Sequence, residues 1–138
     1  MTKIRLTNVV DAGNAEQGIL GPALVRAVEL DALVDTGATL LALPEGAVAA
    51  LGLRTGAPLP VRLADGTVRE VPMAYGIWIE ILNRGMTCDA LVMPAGTTPL
   101  IGQLQLEGLD LLIDPKSQNV MVNPASPDTP MFDLLRAS

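Results

Sequence analysis

Histidine is absent from the 138 residues, and cysteine, tryptophan, tyrosine and phenylalanine occur once each. Without histidine, no Ser-His-Asp or Cys-His relay can form. Zinc loses its commonest ligand and a single cysteine does not replace it, so neither a metal site nor a cofactor is expected. The lone Cys88 makes no internal disulfide, which fits a reducing compartment. Positive charge is also scarce: nine Lys and Arg stand against fifteen Asp and Glu, a net −6, and the nine are scattered. Nucleic acid is therefore not an expected partner. No apolar run reaches membrane-spanning length, and Met1-Thr2-Lys3-Ile4-Arg5 has no leader-like apolar stretch. No membrane partner is expected, and cytoplasm is the expected location. If such a chain is an enzyme, carboxylates are its acids and bases.

What is present is aliphatic. Hydrophobic residues make up 49% of the chain and charged ones 17%, with a mean hydropathy of +0.40. The length suits one domain with a real core, built from Leu, Val, Ile, Met and Ala. Lys3–Val10 reads as a short strand and Asp11-Ala12-Gly13-Asn14 as a turn. In Leu24–Val34, alternate residues Val28, Leu30, Ala32 and Val34 form an apolar face, so this segment reads as a half-buried strand. Leu40–Leu43 is a further short strand. Pro44 to Gly52 carries a helix signature: Pro at the first turn, an early Glu, alanines and a closing Gly. Asp65-Gly66 between Pro60–Ala64 and Val68–Leu82 predicts a hairpin with a long second arm. Asn83-Arg84-Gly85 reads as a turn before a strand at Thr87–Met93. Gln103–Glu107 reads as a short helix. Leu109–Asp114 and Asn119–Asn123 read as a last pair of strands, followed by a proline-rich tail ending in a Met131–Leu135 apolar cluster. About eight short strands and one or two short helices predict an all-β domain, a closed or nearly closed barrel.

The most informative run is Leu33-Val34-Asp35-Thr36-Gly37-Ala38-Thr39. A carboxylate at the end of an apolar strand is a capping or turn residue, or it is placed for chemistry. Two other features follow it in order: the hairpin tip Ala64-Asp65-Gly66-Thr67, and Leu100-Ile101-Gly102 ahead of a short helix. Together the three resemble the retropepsin-like aspartic proteases, the single-domain relatives of pepsin, over roughly residues 24–123.

The resemblance implies a closed β-barrel with a flap hairpin, a protease domain at residues 1–123 and a C-terminal tail at 124–138. It implies an aspartic endopeptidase that works as a homodimer on a peptide or protein substrate. Two copies of Asp35 would meet at a two-fold axis, one as base toward a water and the other as acid toward the peptide carbonyl. Thr36 would brace the pair and Gly37 would admit substrate backbone. Leu33, Ala38, Thr39 and the flap tip Ala64, Asp65, Gly66 and Thr67 would contact substrate, with Leu100, Ile101 and Gly102 passing beneath the Asp loop. Retroviral members carry a dimer-locking ion network, and here the corresponding places hold Thr39, Arg5 and Gln103.

That departure motivates an alternative of another class: a catalytically weak or inactive module of the same fold that binds peptide or oligomerises. The run Asp35-Thr36-Gly37-Ala38-Thr39 also resembles the phosphate loop of the actin and sugar-kinase superfamily, whose two α/β lobes this chain is too short to build. Asp65 has an ordinary reading as turn chemistry, Cys88 as a small apolar filler, and Trp78 and Tyr75 as packing or partner surface.

Overall fold

In the first strand, β1 (Thr2–Asn8), residues alternate between buried and outward, with Ile4 and Leu6 fully buried and Lys3 and Arg5 exposed. That period of two needs one face on a core. The computed structural model, which describes residues 1–134, supplies it. β1 pairs antiparallel with β2 (Ala27–Val34) on one side and with β7 (Met73–Ile81) on the other. The sheet continues from β2 through β9 (Leu100–Ile101), β3 (Leu41–Pro44) and β8 (Arg84–Met93) back to β7. The β1–β7 pairing closes these six strands into a barrel, and β4 (Arg54–Thr55) adds to the outer edge of β7. Ile4, Leu6, Leu41, Leu43, Ile77, Ile79, Ile81 and Ile101 fill it. The core is aliphatic, as the near absence of aromatics requires.

Two short sheets stand outside the barrel: β5 (Leu59–Arg62) with β6 (Val68–Val71), and β10 (Leu111–Ile113) with β11 (Val120–Val122). The described α-helices are α1 (Val9–Glu16), α2 (Glu45–Leu51) and α3 (Gln103–Gly108), and a single 3-10 turn covers Pro22–Leu24. α2 forms where its proline and alanines predict. Gly52 at φ +61 ends it in the left-handed conformation that glycine adopts without penalty.

Three local expectations are corrected. The Asp11–Asn14 turn lies inside α1. Asn8 ends β1 and caps this helix by accepting the Asp11 N–H (3.0 Å), while its Nδ2 donates to Leu51 O (2.8 Å). A buried Asp11 carboxylate then accepts from Arg26 backbone N, Nε and Nη2, tying α1 to the start of β2. The long hairpin arm Val68–Leu82 is broken at Pro72, which has no N–H for a ladder. Its carbonyl accepts from Val92 N instead, so β6 belongs to the hairpin and β7 to the barrel. The turn expected at Asn83-Arg84-Gly85 sits one residue earlier, with Leu82 and Asn83 at positive φ (51° and 65°), and β8 begins at Arg84.

That shift turns Arg84 inward, where it is buried. Its guanidinium donates to the carbonyls of Leu109, Asp110 and Ser126. Asp110 lies 3.9 Å from Arg84 and accepts from Asn123 Nδ2 (2.9 Å), Ser126 Oγ and Met131 N (3.0 Å). These bonds pin the tail onto the body. Of the Met131–Leu135 cluster, Met131, Phe132 and Leu134 are exposed, and Leu135 lies outside the described residues.

Candidate active site

β2 carries its apolar face to Val34 and then stops. Asp35 follows with its backbone N–H donating to Ile101 O (3.0 Å) and its carbonyl accepting from Ala38 N (3.0 Å). The loop is a tight turn, held from beneath by β9, which runs parallel to β2 with Leu33 opposite Leu100 and Val34 opposite Ile101. The first amides of α3 complete the support: Gln103 N donates to Ala38 O (2.8 Å) and Leu104 N to Thr39 O (3.1 Å). Two sequence features separated by some sixty residues thus become one unit, loop above and β9–α3 below.

Gly102 is the hinge pin of that unit. A Cβ there would lie 2.6 Å from the backbone of Leu40, closer than any side chain tolerates. Its N–H donates to the buried Oε1 of Gln105 (3.1 Å), which fixes the start of α3. Gly37 serves the carboxylate directly. Its N–H donates to Asp35 Oδ1 (2.9 Å), and a Cβ there would stand 3.2 Å from the same oxygen. Asp35, Thr36, Gly37 and Thr39 are exposed, and Ala38 is half-buried.

In front of Asp35 lies a cleft of about 720 Å³. It is lined by Gly37, Ala38, Thr39, Leu40 and Ala42 from the Asp35 loop and β3, by Leu91 and Met93 from β8, by Leu100 from β9, and by the β5 strand, Leu63, Ala64 and Val71 from the hairpin. Of the residues singled out in the sequence, Asp35, Gly37, Ala38, Thr39, Ala64 and Leu100 line this one space. Thr36 faces a neighbouring groove shared with Gln103, Phe132 and Asp133. Ile101 and Gly102 are buried beneath the loop, and Leu33 is exposed beside it on β2.

The hairpin tip is organised by its own side chains. Thr67 donates to Asp65 Oδ1 through both its amide (2.9 Å) and its hydroxyl (2.6 Å). The Thr67 hydroxyl bond first, then the amide, holds the Asp65 carboxyl below the usual range. Asp65, Gly66 and Thr67 stay outside the cleft lining; the turn reading of Asp65 describes what its carboxylate does. Cys88 is half-buried in a separate groove between β8 and α3, and burial pushes its thiol up to about 12. An inert thiol matches its reading as filler. Sequence reasoning missed Leu59, Val61, Arg62, Leu91 and Met93. They reach the cleft from β5 and β8, and no motif marks them.

The family model described as "gag-polyprotein putative aspartyl protease" matches residues 21–112, which span β2, the Asp35 loop, the hairpin, β9 and α3. No curated protein sequence matches the chain. Among solved structures, the Ddi1 retroviral protease-like domain of Leishmania major is similar at 17% identity and a TM-score of 0.52, covering 90% of this chain and 89% of that one. EIAV protease, solved in complex with the inhibitor HBY-793, is similar at 21% identity and a TM-score of 0.50, covering 58% of this chain and 76% of that one. At these identities the likeness is one of fold. With the family model spanning two thirds of its length, the chain belongs to the retropepsin-like gag-polyprotein aspartyl protease family.

Proposed function

We propose that this protein is an aspartic endopeptidase that assembles as a homodimer and hydrolyses peptide bonds with two Asp35 carboxylates. One observation carries the reading: Asp35 is exposed on a rigidly supported loop, at the edge of an apolar cleft deep enough for peptide side chains. One carboxylate alone has no partner acid. Two brought together across an axis share one proton, because like charges at short range do not both ionise. The ionised member takes a proton from water as the water oxygen bonds the carbonyl carbon, and the protonated member gives one to the carbonyl oxygen. The resulting diol then returns a proton to the dyad while the dyad protonates the leaving nitrogen, the C–N bond breaks and the single shared proton is restored.

The surrounding residues support these steps. The Gly37 N–H orients Asp35 Oδ1, and the absent side chain at Gly37 leaves room for substrate backbone. The β5–β6 hairpin acts as the flap: it stands outside the barrel and closes over peptide, excluding water from the reaction. Aliphatic lining from Leu40, Ala42, Leu91, Met93 and Leu100 favours apolar side chains beside the cleaved bond.

Asp35→Asn is the direct test. The variant should keep the wild-type circular dichroism and melting midpoint and lose cleavage of aliphatic peptides by at least a factor of about a thousand. Cleavage at the wild-type rate by a folded D35N chain removes the proposal, and a wild-type chain that binds these peptides without cleaving them favours the peptide-binding module. A statine-type peptide, whose hydroxyl mimics the tetrahedral intermediate, should inhibit the wild type.

A further inference from the structure

Charge is distributed unevenly over this acidic chain. Of its nine Lys and Arg, three (Arg54, Arg62 and Arg69) fall on the β5–β6 hairpin and the short strand before it. The same stretch holds two carboxylates, Asp65 and Glu70, and Asp65 is turned into its own turn by Thr67. That stretch carries one more positive than negative charge in a molecule whose net charge is −6, and Arg62 is its one cation in the cleft lining. Within the cleft the lining is aliphatic except at a few places, and its charged residues are Asp35 and Arg62. Arg62 is exposed at the end of β5, and among the described residues no carboxylate lies within ion-pair distance of it.

A guanidinium with no carboxylate partner among the described residues, at an apolar cleft, offers a forked donor for one carboxylate. Resting on the peptidase reading above, we propose that Arg62 is a specificity-determining residue: it pairs with an acidic side chain of the substrate. The preferred peptide is then aliphatic at the cleaved bond and carries one Glu or Asp within reach of the hairpin. The pairing is local to Arg62, the one cation among the residues that line the cleft.

The test uses aliphatic peptides in which Glu is moved one position at a time on either side of the cleaved bond, each compared with its Gln twin. At one register the wild type should cleave the Glu peptide with kcat/KM roughly three- to tenfold above the Gln twin, carried by KM and shrinking as salt is raised. Arg62→Gln should bring that ratio to about one, and Arg62→Glu should favour a Lys peptide instead. Arg69→Gln, on the hairpin but outside the cleft lining, should keep the wild-type ratio. Absence of a Glu preference at every register, or a preference that survives in R62Q, overturns the assignment.

Equilibrium binding of the same labelled peptides to Asp35→Asn, followed by fluorescence anisotropy, separates the two readings. A Glu preference in binding that needs Arg62, with no cleavage by the wild type, sinks the peptidase reading and keeps this one. Cleavage without any Glu preference does the reverse.

Discussion

Two glycines, one within the Asp35 loop and one beneath it, do different work, and their substitution should separate stability from activity. At Gly102 an added methyl meets the Leu40 backbone at 2.6 Å, in the buried crossing where loop and β9–α3 unit lock together. Backbone cannot rotate away as a side chain can. Gly102→Ala should therefore cost about 2–3 kcal/mol, read as a lowered urea midpoint with an unchanged m-value. At Gly37 the methyl meets only Asp35 Oδ1 at 3.2 Å, on an exposed turn. Gly37→Ala should change stability by less than about 1 kcal/mol and lower kcat/KM about tenfold, because it pushes the reacting carboxylate off position. A G37A chain as active as wild type would show that this carboxylate does not need its present orientation.

Among the elements, the join between α3, β8 and the tail is the most exacting. Arg84 is buried and serves three carbonyls, so Arg84→Ala leaves those acceptors and Asp110 without their cation. The expected loss is about 3 kcal/mol by denaturant melting. Asp110 makes the same join depend on pH. Bonds from the Ser126 hydroxyl, Asn123 and the Met131 amide, with Arg84 nearby, lower its carboxyl to about 2. A carboxyl lowered on folding stabilises the native state above its unfolded value, and that contribution fades as pH falls toward the folded value. The tail should accordingly stay pinned from neutral pH down to about 4 and release between there and about 2. Hydrogen exchange at the Met131 amide, which donates to Asp110, checks this when referred to the intrinsic rate at each pH. Asp110→Asn should show fast exchange there at every pH, and protection unchanged in D110N would disprove the role given to the carboxylate.

For the whole molecule, the proposed chemistry needs two copies. Specific activity should then fall on dilution, in step with the shift from double to single mass in analytical ultracentrifugation. A mixture of wild type with excess D35N should lose activity as mixed dimers form. An active monomer would break the link between Asp35 and its symmetry mate.

Several features were legible along the chain because they follow from neighbours in sequence. Alternation in Val28, Leu30, Ala32 and Val34 gave β2 its buried face, and Pro44 with Gly52 bracketed α2. The Asp35 motif, the hairpin tip and Leu100-Ile101-Gly102 identified the fold by their order, since each is a short segment with its own turn chemistry. The rest depended on distance. Whether Arg84 sits in a turn or in the core is set by a one-residue shift, and only pairing with β7 decides that shift. Asn8 reads as an interior residue of the Lys3–Val10 strand, and it ends β1 only because Asp11 and Leu51 come within reach of its side chain. The cleft is decided entirely in three dimensions, where β5 and β8 bring Arg62, Leu91 and Met93 to face a loop that sequence alone had already singled out. Local propensity and period act over a few residues, whereas a binding surface is the sum of side chains that the barrel closes around one space.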